Sequence, residues 1–163
     1  MDLVARCIVA SFYGIDGPRK DTALVVVLEG GPNPPISLTF DGNKLKDVPS
    51  SEVKAAKMVY DALSGLSFDG ITSERKHFKR VVSEYSGADF SLYYLHEEGE
   101  DSRRLKYSGK PVFILGDQKG LDAKSEEFLR RLGVKRVSLG PYPYLASHCI
   151  TVVNNELDLY GKQ

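Results

Sequence analysis

Residues 110–149 read KPVFILGDQKGLDAKSEEFLRRLGVKRVSLGPYPYLASHC, and the alternation within them decides the fold class. "KPVFILGD" (110–117) is a short apolar run closed by a glycine and reads as a strand. "LDAKSEEFLRRLG" (121–133) has acids in its early turns, Arg130 and Arg131 in its last turn and Gly133 as a stop, which predicts a helix. "KRVSLG" (135–140) reads as a second strand. A further helix begins near 145 and reaches 161, with Ala146, Ile150, Val153 and Leu157 on one face. Strands that alternate with helices predict an α/β layered domain with a mostly parallel sheet and helices on both faces.

The same alternation extends toward the start of the chain. Residues 3–13 carry Leu3, Val4, Cys7, Ile8 and Phe12 at helical spacing, with Asp2 as an N-cap candidate. "TALVVVLEG" (22–30) is a continuous β-branched run, the mark of a strand buried on both faces. "ISLTF" (36–40) alternates and ends at the "DG" turn of 41–42. Ser50 or Ser51 caps a helix through Leu63, with Val53, Ala56, Val59, Tyr60 and Leu63 on one side. "TSERKHFKRVVSEYSG" (72–87) reads as a helix and "FSLYYLH" (90–96) as a strand.

Length and composition narrow the classes. A chain of 163 residues fits one domain, 1–163, that buries a core without staples. Acidic and basic residues balance at 22 each, so any nucleic-acid contact must come from a local patch. No apolar run reaches bilayer length, which speaks against a membrane protein. The start, "MDLVARCIVASF", reads as structure and not as a leader. Cys7 and Cys149 make no disulfide framework, and reduced thiols in a cytoplasmic protein are expected.

Ligands of parallel sheets sit at the carboxyl ends of strands, and the glycine- and proline-rich loops fall there. "FILGDQKGLD" allows close backbone approach at Gly116 and Gly120 but is neither a dinucleotide fingerprint nor a P-loop. It reads as a main-chain cradle for a nucleotide-like ligand or as an ordinary strand-to-helix turn. "SLGPYPYLASHCIT" (138–151) admits several chemistries. Neighbouring helical residues point about 100° apart, so a His148–Cys149 dyad is disfavoured. Only His77, His96 and Cys7 could complete a metal site, and none has the spacing, so no metal is expected. A buried structural Cys149 remains, as does a ligand loop with Cys149 lining its floor. "RKHFKR" (75–80) sets Arg75, Lys76, Lys79 and Arg80 on one helical face, as a phosphate-tracking stripe or a solvated surface.

These two glycine loops in this order, ending in "SLGPYPYLASHCITVVNNELD", resemble the SPOUT class of RNA methyltransferases. Within that class the chain is most similar to the archaeal TrmY type, which methylates N1 of pseudouridine 54 in the T-loop of tRNA. "DLVARCIVASF", "RKDTALVVVLEGGPNPPISLTFDGNKL", "YYLHEEGED" and "PVFILGD" have counterparts in the same order. The resemblance implies a C-terminal trefoil knot, a homodimer and S-adenosylmethionine (SAM) as cofactor. It implies a cofactor site at Leu95, Gly116, Leu139, Gly140, Pro141, Tyr142, Pro143, Tyr144 and Cys149. Three departures stand out. The strand and glycine loop that usually open the family precede the point where Met1 stands. Gln118 and Asn154 replace family histidines. A catalytically degenerate cofactor- or RNA-binding dimer is therefore the alternative.

The expected chemistry needs a group that removes the N1 proton of pseudouridine. Asp21 is the first candidate and Asp117 the second, with Arg19 stabilising charge on the base. The T-loop base is stacked and must flip out. Arg19, Lys20, Arg75, Lys76, Lys79 and Arg80 are the expected RNA contacts.

Overall fold

The computed structural model describes residues 1–14, 17–31 and 33–160. Parts of the 14–21 and 30–35 connections, and residue 161 at the end of the expected final helix, therefore lie outside the described residues. The chain forms two compact units, 1–77 and 78–163.

In the first unit, helix α1 (Asp2–Phe12) is followed by strands β1 (Ala23–Leu28) and β2 (Ile36–Asp41), helix α2 (Glu52–Leu63) and strand β3 (Ile71–Glu74). The strands form a sheet in the order β1–β2–β3, antiparallel throughout. β2 is central, and its Leu38 and Phe40 are fully buried beneath Ile8 and Phe12 of α1 and Ala55 and Val59 of α2. Ser51 caps α2 by accepting from the Lys54 amide at 3.4 Å.

Several expectations change here. The sheet of this unit is antiparallel, not parallel. The β1 run is half-buried, not buried on both faces, because β1 is an edge strand with β2 as its neighbour. β-branched side chains favour any pleated strand, and burial is decided by what flanks it. The buried face of α2 is Ala55, Val59 and Ala62, while Val53 and Tyr60 point outward at 81% and 67% exposure. Asp2 does not cap α1. Met1 holds that position, and Asp2 pairs with Arg6 at 2.8 Å. Residues 71–74 are a strand, with Ile71 opposite Phe40 and Glu74 opposite Ser37, so pairing to β2 overrides the helix read from Thr72.

In the second unit, helix α3 (Phe78–Glu84) leads to strand β4 (Phe90–Asp101), strand β5 (Lys110–Ile114), helix α4 (Ala123–Arg131), strand β6 (Lys135–Ser138) and helix α5 (Ala146–Tyr160). This sheet is parallel, in the order β5–β4–β6. Its central strand is covered on both faces, since the adjacent Tyr93 and Tyr94 are each under a tenth exposed. Tyr94 packs with Val82, Ile114 and Leu129. Tyr93 stacks at 5.4 Å on Phe113 and meets Tyr107, which in turn meets Tyr160 of α5. β4 runs five residues beyond its expected end and rejoins β6 through an irregularity between Leu95 and Glu100. Asp122 caps α4 by accepting from the Lys124 and Ser125 amides.

Candidate active site

The parallel register gathers the predicted cofactor residues. Tyr94 lies opposite both Ile114 and Arg136, and Leu95 lies opposite Val137. Gly116 and the loop of 139–145 therefore leave the carboxyl ends of β5 and β6, and Leu95, within the longer β4, lies level with those ends. The structure thus brings together residues that are up to 49 positions apart, from Leu95 to Tyr144.

The loop after β5 is closed on itself. Gly120 donates to the Asp117 carbonyl at 3.0 Å, and the Asp117 Oδ1 accepts from the Lys119 amide at 2.7 Å. A Cβ on Gly116 would stand 2.6 Å from the Gly120 Cα, so only glycine fits the fold of this loop. Asp117 thus shapes its own turn, as Asx residues do. Gln118 is exposed beside it.

The loop after β6 is organised around one hydroxyl. Ser138 Oγ donates to the Gly140 carbonyl at 2.9 Å and accepts from the Gly140 amide at 3.2 Å. The Tyr144 ring folds back over Gly140. Tyr142, between Pro141 and Pro143, projects with 72% exposure. The Cys149 thiol donates to the Tyr144 carbonyl at 3.8 Å, and burial pushes its pKa up. A thiol held protonated is a small soft wall, not a nucleophile. The amides of His148 and Cys149 both donate to the Leu145 carbonyl, which starts α5 directly behind the loop. His148 is exposed. Neighbouring aromatic support is strong. Tyr94 donates to Glu126 at 2.8 Å, and Arg136 lies over the Tyr94 ring while pairing with Glu126. Burial, reinforced by Glu126, pushes the Tyr94 pKa up to about 12.

The first unit holds the predicted catalytic pair. Arg19 Nε lies 3.1 Å from Asp21 Oδ1 and 3.2 Å from Thr22 Oγ1, and Thr22 donates to the same carboxylate oxygen at 3.3 Å. The Asp21 side chain is 71% exposed, so a preset guanidinium–carboxylate pair faces solvent. Lys20 Nζ donates to the Leu45 carbonyl at 2.7 Å.

The basic stripe does not survive as a single helical face. Arg75 and Lys76 precede α3, whereas Lys79 and Arg80 belong to it. Lys76 pairs with Glu74 at 2.9 Å, Arg80 pairs with Glu84 at 3.1 Å, and the Lys79 ammonium lies 5.6 Å from the Phe128 ring centroid. The reason is the strand at 71–74, which consumes the residues that would have formed the first turn.

Among the described residues, no cluster of three or more His, Cys, Asp or Glu side chains could hold a metal, and no helix is long and apolar enough to cross a membrane. A surface hollow of about 360 Å³ between 47–50 and α2 shares no residue with the predicted site. Ser138 and Thr22, which the sequence did not single out, bond directly to residues that it did. Each is a small hydroxyl beside a residue already singled out, and nothing in the residue type distinguishes it from a solvated one.

A family model described as "Putative SAM-dependent RNA methyltransferase" matches residues 1–161. A protein of Methanococcus aeolicus named tRNA (pseudouridine(54)-N(1))-methyltransferase is 37% identical across 97% of this chain and 84% of its own length. A protein of the same name from Methanocaldococcus jannaschii is 35% identical across 97% of this chain and 83% of its own. Archaeoglobus fulgidus Nep1, solved bound to S-adenosylhomocysteine, has a similar fold, with a TM-score of 0.68 over 99% of this chain and 71% of that one at 18% identity. Matched along nearly its whole length, the chain belongs to the SAM-dependent RNA methyltransferase family.

Proposed function

We propose that this chain is a SAM-dependent tRNA methyltransferase that methylates N1 of pseudouridine 54. The observation that carries the reading is the convergence of Leu95, Gly116 and the 139–144 loop at one end of a parallel sheet, in a chain whose relatives bear that name. The donor set fits the cofactor. Gly116 keeps its loop tight where a side chain would not fit, and Cys149 is a neutral wall beside Tyr144. Leu95, Gly116, Leu139, Gly140, Pro141, Tyr142, Pro143, Tyr144 and Cys149 would hold the adenosine and methionine parts, largely through main-chain groups.

Bound there, SAM supplies a methyl group made electrophilic by its sulfonium. The chain must then orient the base and move one proton. Asp21 would take the proton from N1 and leave the nitrogen pair free to accept the methyl group that SAM supplies. Arg19, already beside Asp21, opposes the negative charge that spreads onto the base carbonyls. Asp117 is the second candidate for the base, although its Oδ1 is engaged by the Lys119 amide. Arg19, Arg75, Lys76, Lys79 and Arg80 supply separate phosphate contacts in this reading. A homodimer, a single domain with a trefoil knot threaded by α5, and a cytoplasmic location complete the proposal.

Gln118 and Asn154, where the family has histidines, favour a second reading in which the chain binds cofactor or RNA without transfer. One experiment separates the two. The protein is incubated with labelled SAM and tRNA carrying pseudouridine 54, and the nucleosides are weighed by mass spectrometry. One methyl added at that nucleoside supports the enzyme. Cofactor or tRNA binding by calorimetry without transfer supports the degenerate dimer, and binding of neither rejects both.

A further inference from the structure

We infer that Lys20 is a positioning residue, which locks the Arg19–Asp21 pair in place and does not itself contact RNA. The inference rests on the functional reading above. Lys20 stands between the two catalytic candidates in sequence, yet its ammonium donates to the Leu45 carbonyl at 2.7 Å. Leu45 is itself anchored, since its side chain is a core residue at 4% exposure and its amide donates to Asp41 at 3.0 Å. The turn at 41–45 is in turn held to β3, because Asp41 donates to the Gly70 carbonyl at 2.8 Å.

Two more contacts bind the same loop to the same turn. Gly42 donates to the Thr22 carbonyl at 2.9 Å. A Cβ on Gly42 would collide with the Arg19 carbonyl and stand 2.7 Å from that of Thr22, so the two backbones touch where only glycine allows it. On its other side, the Arg19 amide donates to the Phe12 carbonyl at 2.9 Å, at the end of α1. The backbone on both sides of Lys20 is thus fixed to core elements, and Lys20 closes the arrangement with a charge-assisted bond across 25 positions. Its effect on transfer passes through Arg19 and Asp21. A reacting pair held to a fraction of an ångström accelerates a displacement far more than a mobile one.

Lys20→Met and Lys20→Arg are compared with the unaltered protein in steady-state transfer to pseudouridine-54 tRNA at several salt concentrations. Amide hydrogen exchange of 12–22 and 41–45 is followed without substrate. For Lys20→Met the expected results are faster exchange at Arg19 and Gly42, and a kcat lower by about ten- to a hundredfold. The KM for tRNA and its salt slope stay unchanged. Lys20→Arg recovers much of the kcat. In an Asp21→Asn background, Lys20→Met lowers kcat little further, because both changes disable one unit. A raised KM with a salt slope smaller by about one reveals a phosphate contact instead and overturns the proposal. Unchanged exchange also overturns it. Absence of transfer by the unaltered protein would reject the functional reading, and exchange would still decide whether Lys20 pins the loop.

Discussion

The cradle of the second unit and the charged corner of the first are built by opposite means. The cradle is main chain shaped by a glycine at 116 and by the Ser138 hydroxyl, and burial beside it pushes the Cys149 thiol pKa up. The corner is a side-chain pair, Arg19 and Asp21, on a loop tied to backbone at Phe12, Gly42 and Leu45. In the proposed reading, a largely main-chain surface would suit a cofactor that already carries its own reactive group. A charged pair suits a base that must lose a proton. The difference teaches that binding and chemistry can be impaired separately.

The largest effect that would sharpen this contrast is on the corner. Asp21→Asn is expected to lower kcat by about a hundredfold or more while the SAM dissociation constant, measured by calorimetry, stays put. Equal loss in cofactor affinity would break the separation. Next comes the cradle. Gly116→Val is expected to weaken SAM binding by about ten- to a hundredfold, since the clash with the Gly120 backbone costs about 1–3 kcal/mol. Hydrogen exchange of the Arg19–Thr22 loop should not respond. The smallest effect is on stability at high pH and belongs to the second unit. Burial holds the phenols of Tyr94 and Tyr107 up at about 12, from an ordinary 10.0. A raised folded pKa means that the unfolded chain loses its proton first. The stability these phenols contribute is full below pH 10 and is lost as pH rises to 12. Thermal midpoints recorded from pH 9 to 12 should fall less steeply for the Tyr94→Phe, Tyr107→Phe pair. An unaltered slope would show that other groups govern the alkaline limb.

Much of the second unit was legible because its signals are local. Arg130, Arg131 and Gly133 mark the end of a helix, and Gly116 and Gly140 mark strand ends, through interactions within a few residues. The glycine loops at 116–120 and 139–144 are legible for the same reason, and the parallel register sets the ends of β5 and β6 on either side of β4. The first unit was read less well. The β-branched 23–28 run announces a strand but not its direction or its edge position. Thr72 and Ser73 satisfy a helix cap and a strand equally, and only pairing with β2 settles the choice. Once those residues became a strand, the cationic stripe that depended on the helix was divided.

Taken alone, the order of residues determined the α/β class, the family, the strands and helices of 110–149 and the places of the glycine loops. Those properties are written in spacing and in glycine, whose meaning is fixed by backbone sterics within one loop. The tertiary structure decided the antiparallel pairing of β1–β2–β3, the assembly of Leu95 with Gly116 and the 139–144 loop, and the turning of Lys20 toward Leu45. Each of these depends on which distant backbone groups lie within hydrogen-bond reach, and side-chain chemistry carries no record of that distance.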